Sequence, residues 1–166
     1  MSRKLSRIAM MKILFAMEHR NEFNDEVMES FFENRWEESE IEKIYNHVFS
    51  GKTLKRRLQE SSESSLEEEE ILYCREHIGE LVEHLETIDE LITDNLKDWT
   101  LDRLTIVDLS IIRLAVYEIL YCDDIANAVS VNEAVDIAKM FSTKDSARFI
   151  NGILGSILRQ SNDQTN

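Results

Sequence analysis

Proline is absent from this chain, and glycine occurs only four times in 166 residues. Average usage would supply roughly 5% proline and 7% glycine, and sheet proteins spend those residues on frequent turns, so an all-β architecture is disfavoured. Cysteine is scarce as well. Cys74 and Cys122 lie far apart and form no Cys-x-x-Cys arrangement, which argues against a disulfide framework or a zinc site and fits a reducing cytoplasm. Cations are outnumbered: 19 Lys and Arg against 33 Asp and Glu leave a formal net charge of -14. Such a field repels nucleic acid and anionic membranes as a whole, so any nucleic-acid site must be local. No apolar run reaches the roughly 20 residues a bilayer span needs. The basic N-terminus lacks a continuous apolar h-region or a small-residue cleavage site, so no secretion signal is expected.

Catalytic signatures are missing too. There is no Gly-rich phosphate loop, no G-x-S-x-G elbow and no zinc-ligand spacing. The one metal-like constellation is His77, Glu80 and His84, which share a helical face at i, i+3 and i+7. These residues flank an apolar stripe with no second ligand-bearing helix in evidence, so packing is the better reading. No enzyme activity, metal or cofactor is expected.

What the chain does have is apolar residues, 43% of the total, at helical spacing. The organising stretch is Thr105 to Tyr121. Thr105 with Asp108 resembles a polar cap, and the residues that follow are apolar on nearly every side, from Val107 and Leu109 to Ile119 and Leu120. A helix apolar all round is one that others surround, so this is the expected central post of an all-α bundle. Around it the spacing predicts a first helix over Ser2 to Met17 and a second over Asn24 to Trp36. A third, opened by Ser39 with Glu42, ends at Gly51. Residues 52–65, with Lys55-Arg56-Arg57 followed by S-S-E-S-S, read as an exposed mobile connection whose charge run is better explained by solvation than by RNA contact. Ser65 with Glu68 starts the next helix, with a restart or kink at Thr87 and Glu90. Trp99 to Leu104 connects into the central helix. Ser130 with Glu133 is the expected cap of the helix after it, and Ser142 to Asp145 a bend into the last one. Gly152 falls inside that last helix at a cost of roughly 1 kcal/mol, which a close helix crossing would justify. A single domain over 1–160 with a disordered polar tail at 161–166 is the resulting organisation.

One feature breaks a local rule. Arg3, Lys4 and Arg7 occupy the first turns of the first helix, where the helix dipole favours acids by roughly 0.3 to 1 kcal/mol each. Clustered cations on so acidic a protein read either as an anion-binding patch or as a solvated, frayed terminus.

The C-terminal half carries a recognisable order of motifs: L-D-R-L-T-I-V-D-L-S-I-I-R-L-A-V-Y-E-I-L, then D-D-I, then V-N-E-A-V-D-I-A-K, then S-T-K-D-S-A-R-F-I-N-G-I-L. Together with the opening S-R-K-L-S-R-I-A-M-M-K-I-L-F, it resembles the bacterial transcription antitermination factor NusB family over about half the chain. Ile8 and Ala126 depart from that family's common glutamate and proline. The resemblance implies two small helix bundles packed around a central hydrophobic helix. It also implies binding of boxA RNA from ribosomal RNA leaders together with ribosomal protein S-ten (NusE), within the RNA polymerase antitermination complex.

Carried over by position, the RNA side would comprise Arg3, Lys4, Arg7, Lys144, Asp145, Arg148 and Phe149. Cations hold phosphates and an aromatic ring can stack on a splayed base. Phe149 is equally readable as core, and Asp145 as a helix cap. For the ribosomal protein the family suggests Phe15 and Asp108, the latter also explained by capping. Arg113 and Glu118, polar within an apolar helix, read as a buried structural pair, and Glu133 as a capping residue. The alternative function is a helical protein-interaction module or homodimer that never touches RNA. The RNA-binding part of some ribosomal RNA cytosine methyltransferases shares the fold that the resemblance implies, and without a methyl-donor domain an enzyme would have to rest on the His77 cluster.

Overall fold

The computed structural model describes residues 3–33 and 66–165. Seven α-helices and one 3-10 turn fill those residues, with no strand among them: α1 (Arg3–Arg20), α2 (Asp25–Phe32), α3 (Glu68–Glu83), α4 (Leu85–Asp94), the turn Leu101–Arg103, α5 (Ile106–Tyr121), α6 (Asn127–Phe141) and α7 (Lys144–Thr165). The helix expected over Ser39 to Gly51 and the connection at 52–65 lie outside the described residues.

α5 is the post the others surround. The Thr105 side chain accepts the Asp108 N–H at 3.2 Å, and every residue from Val107 to Glu118 is buried. α1, α4, α6 and α7 all pack against it, while α1 also carries α2 and α3, and α3 touches α5 in turn through Glu80 and Tyr117. The result is two small bundles, α1–α3 and α4–α7, joined where α1 meets α5. Ion pairs fix that joint as antiparallel: Arg7 on α1 meets Glu118 near the end of α5, and Glu18 on α1 meets Arg113 nearer its start.

Several boundaries differ from the sequence expectation. α1 runs on to Arg20, its last turn carrying His19 and Arg20 toward the negative end of the dipole, and stops at Asn21 with a left-handed φ of 55°. The Asn24 side chain caps α2 by accepting the Val27 N–H at 3.1 Å. α3 begins at Glu68, where the Glu70 carboxylate reaches back to the Glu67 N–H at 3.0 Å. The break between α3 and α4 falls at His84, not Thr87, and the His84 ring there stacks on Tyr121. α6 starts at Asn127, so Ser130 and Glu133 are interior positions: Ser130 is buried and Glu133 faces Arg7. α7 is capped by Thr143, whose hydroxyl accepts the Ser146 N–H at 3.0 Å, which leaves Asp145 without the capping role. α7 also continues through the polar stretch where a disordered tail was expected. Gln160 accepts a hydrogen bond from Asn95 at 2.8 Å and the Ser161 hydroxyl donates to the Ile157 carbonyl, so polar residues there are tied into the helix. Gly152 marks no close crossing, because a Cβ built there meets no atom within 4 Å.

Candidate nucleic-acid interface

The cations of α1 find acids from other elements. Arg3 pairs with Asp124 in the turn after α5 at 3.2 Å and lies over the Tyr73 ring, its guanidinium carbon 5.2 Å from the centroid. Lys4 approaches Asp136 of α6 at 3.6 Å. Arg7 is different. Its side chain is 6% exposed and that of Glu118 2%; Arg7 Nε donates to Glu118 Oε1 at 2.7 Å, with Glu133 3.9 Å away on the other side. The broken dipole rule therefore has a tertiary answer: α5, α6 and the turn between them supply the acids that α1 lacks. Arg3 and Lys4 keep exposed side chains, whereas Arg7, expected in the RNA set, is consumed inside the fold.

Arg113 and Glu118 are both buried ions, but they do not pair with each other as the sequence suggested. Arg113 holds Asp89 of α4 in a two-pronged contact, 2.8 Å at each prong, and Glu18 of α1 at 2.7 Å. Arg113 and Glu118 stand five positions apart on one helix, and i and i+5 do not share a face, so they point to different neighbours.

The start of α7 is the opposite case. Lys144, Asp145, Arg148 and Phe149 are all exposed, Arg148 being only loosely matched to Asp145 at 4.0 Å. Phe149 is 37% exposed and stands outside the hydrophobic core, with its ring 6.4 Å from that of Trp99, which is 53% exposed. Trp99 entered the sequence reading only as part of a connection. Beneath this group lies Asp108, whose two carboxylate oxygens accept from the Ser142 and Ser146 hydroxyls at 2.7 Å each. That latch fastens the α6–α7 bend to the start of α5. Both residues carried over for the ribosomal protein are inside the fold: Asp108 is buried under the bend, and Phe15 belongs to the core.

The two cation groups do not merge into one small pad. The α7 group sits over Asp108 near the start of α5, and Arg3 and Lys4 sit beyond its end, roughly 20 Å away at 1.5 Å per residue. A connecting edge exists between them. Lys4 reaches Asp136 and Lys12, two turns further along α1, lies 5.8 Å from the Phe141 ring at the end of α6, three residues before Lys144. A stacked strand at roughly 3.4 Å per nucleotide would cover that distance in about six.

Lys12 itself is largely withdrawn from solvent, and burial pulls its pKa from the ordinary 10.5 down to about 8. Lys12→Met is expected to stabilise the protein by on the order of 2 kcal/mol at pH 7. Between pH 8 and 10.5 the unfolded chain retains the lysine proton that the folded chain has released, so wild-type stability gains on the variant as pH rises through that window. Urea unfolding of both proteins at pH 7 and pH 10.5 checks this, and a difference that ignores pH would refute it.

The remaining titratable clusters have packing roles. The His77 ring Nδ1 lies 2.9 Å from the Tyr73 carbonyl, Glu80 accepts from the Tyr117 hydroxyl at 2.5 Å, and His84 is the ring stacked on Tyr121. Among the described residues no group of three or more His, Cys, Asp and Glu is placed to hold a metal ion, and no helix is long and apolar enough to cross a membrane. Cys74 and Cys122 are free and buried, and burial raises their thiols to about 12 and about 11.

Comparison with known proteins gives a consistent picture. A family model described as the NusB family matches residues 4–159. The transcription antitermination protein NusB of Clostridium botulinum (strain Hall) is 40% identical over 158 residues, covering 95% of this chain and 100% of its own. The structure of T. maritima NusB superimposes with a TM-score of 0.70 at 31% identity, covering 96% of this chain and 92% of that one. A solved complex of the antitermination factors NusB and NusE with double-stranded RNA shares the fold, with a TM-score of 0.69 at 21% identity over 95% of this chain and 96% of that one.

Proposed function

The chain belongs to the NusB family, and from that we propose that it is a transcription antitermination factor. In this reading it binds boxA RNA of ribosomal RNA leader transcripts jointly with ribosomal protein S-ten (NusE), as part of the RNA polymerase antitermination complex. The observation that carries the reading is the α7 start: Lys144, Arg148 and Phe149 project together from a body of net charge -14. The cations can grip a phosphate backbone and the ring can stack on a base. Arg3 and Lys4 extend the track at its far end, while Arg7 supports them from inside. Phe15 and Asp108, which the family resemblance places on the S-ten side, are buried, so their part in that surface is exerted through packing, while Asp108 also sets the bend on the RNA side. An acidic body with few free cations fits a protein whose RNA surface is completed by a second, basic subunit. NusE accompanies NusB and RNA in the solved complex that shares this fold.

The test is fluorescence anisotropy of labelled boxA RNA and a scrambled RNA of equal length, with and without ribosomal protein S-ten, at two salt concentrations. Preference for boxA is expected, stronger with the partner present. Lys144→Ala with Arg148→Ala should flatten the salt dependence by about 0.7 in log-log slope per lost contact. Equal binding of the two RNAs under every condition would reject the reading in favour of a module that binds only protein.

A further inference from the structure

We propose that Trp99 is a base-stacking residue, forming with Phe149 a two-ring platform for single-stranded RNA. The inference rests on the function proposed above and adds a residue to it. The two rings come from segments fifty residues apart in the chain, lie 6.4 Å apart between centroids and are tilted by 33°. They are two of the four large hydrophobic side chains left exposed among the described residues. An isolated exposed hydrophobic is ordinary, but a paired indole and phenyl beside cations is a surface with two flat π-faces and charge to hold phosphate. Arg148 adjoins Phe149 in sequence, Lys97 and Arg103 flank Trp99, and all three are exposed.

The platform is built, not incidental. Trp99 follows a turn in which Lys97 takes a left-handed φ of 52°, a conformation few side-chain-bearing residues adopt. That turn is fastened to α7 from Asn95, whose amide donates to Gln160 at 2.8 Å and accepts from the Ser156 hydroxyl at 2.7 Å, and Leu96 is buried beneath it. Trp99 is thereby held against the same helix that presents Phe149. One turn beyond Phe149 is Gly152, exposed and without any packing reason to lack a side chain. The bare backbone leaves room beside the ring where a base and its ribose must pass. The occupant is a single strand and not a duplex, because a paired base offers its face only to its stacked neighbours.

The experiment compares full-length wild type, Trp99→Ala, Trp99→Phe and Phe149→Ala for binding to labelled boxA RNA in the presence of ribosomal protein S-ten. Trp99→Ala is expected to weaken binding about 10-fold, with Trp99→Phe recovering most of the loss. In a Trp36→Phe background, the fluorescence of Trp99 should be quenched as RNA is added. Circular dichroism of each variant confirms that the fold is intact. If wild type prefers boxA and Trp99→Ala binds as well as wild type, the platform is refuted while the function stands. If Trp99→Phe is as weak as Trp99→Ala, or if Trp99→Ala weakens only the contact with S-ten, stacking is likewise refuted. If wild type shows no preference for boxA, the function itself falls and this inference with it.

Discussion

Arg113→Ala is expected to cost about 3–5 kcal/mol of folding stability, read as a fall in the urea midpoint at unchanged slope. Arg113 sits in the middle of α5, its side chain 5% exposed, and engages two carboxylates from two other helices. The guanidinium fork matches Asp89 prong for prong, its remaining nitrogen reaches Glu18, and its face covers the Phe23 ring at 5.5 Å. Truncation leaves Asp89 and Glu18 facing each other across an apolar gap without a counter-ion. Because both carboxylates keep partial access to water, the loss should fall toward the lower end of that range. Arg113→Lys should recover little, since an ammonium is a point charge and cannot make the two-pronged contact. A loss under about 1 kcal/mol for the alanine variant would show that water already screens the cluster.

The second large effect concerns Arg7 and Glu118. Glu118→Ala alone should destabilise by about 3 kcal/mol, because the buried guanidinium loses its 2.7 Å partner and keeps only Glu133 at 3.9 Å. The double replacement Arg7→Met with Glu118→Leu should be far milder than either single change, since removing both charges also removes their desolvation cost. That double variant separates two roles for Arg7. With the charge gone and the fold kept, RNA affinity should stay at the wild-type level if Arg7 acts only by packing. A folded double variant that loses RNA would return Arg7 to the binding surface.

How far the sequence could be read depended on how local each signal was. The central helix was legible because its apolar residues run all round, a property of the stretch itself, and Thr105 capped it as expected. Caps were less dependable. S-V-N-E at 130–133 has the form of a capping box, yet Ser130 faces the core and the helix begins a turn earlier. T-I-D-E at 87–90 misplaced the break by three residues, because the His84 ring packing on Tyr121 depends on a neighbour 37 positions away. The site shows the same limit. Arg3, Lys4, Arg7, Lys144 and Arg148 are alike as letters, and only tertiary pairing separates the buried Arg7, whose acid lies 111 residues away, from the exposed Arg148. Trp99 gave a fainter signal: its immediate neighbours Lys97, Asp98, Thr100 and Asp102 are polar, but Leu96 and Leu101 close by pack into or against the core, and only the tertiary structure shows that the indole does not follow them.

The hydroxyl latch on Asp108 has a thermodynamic consequence for recognition. Ser142 and Ser146 hold the bend to the buried central helix, so the backbone bearing Lys144, Arg148 and Phe149 stands in place before any ligand arrives. The backbone that carries them is therefore fixed before association, which spares affinity about 1–2 kcal/mol for each residue of the bend that would otherwise have to be ordered, while the long Lys144 and Arg148 side chains still lose rotamer freedom on binding.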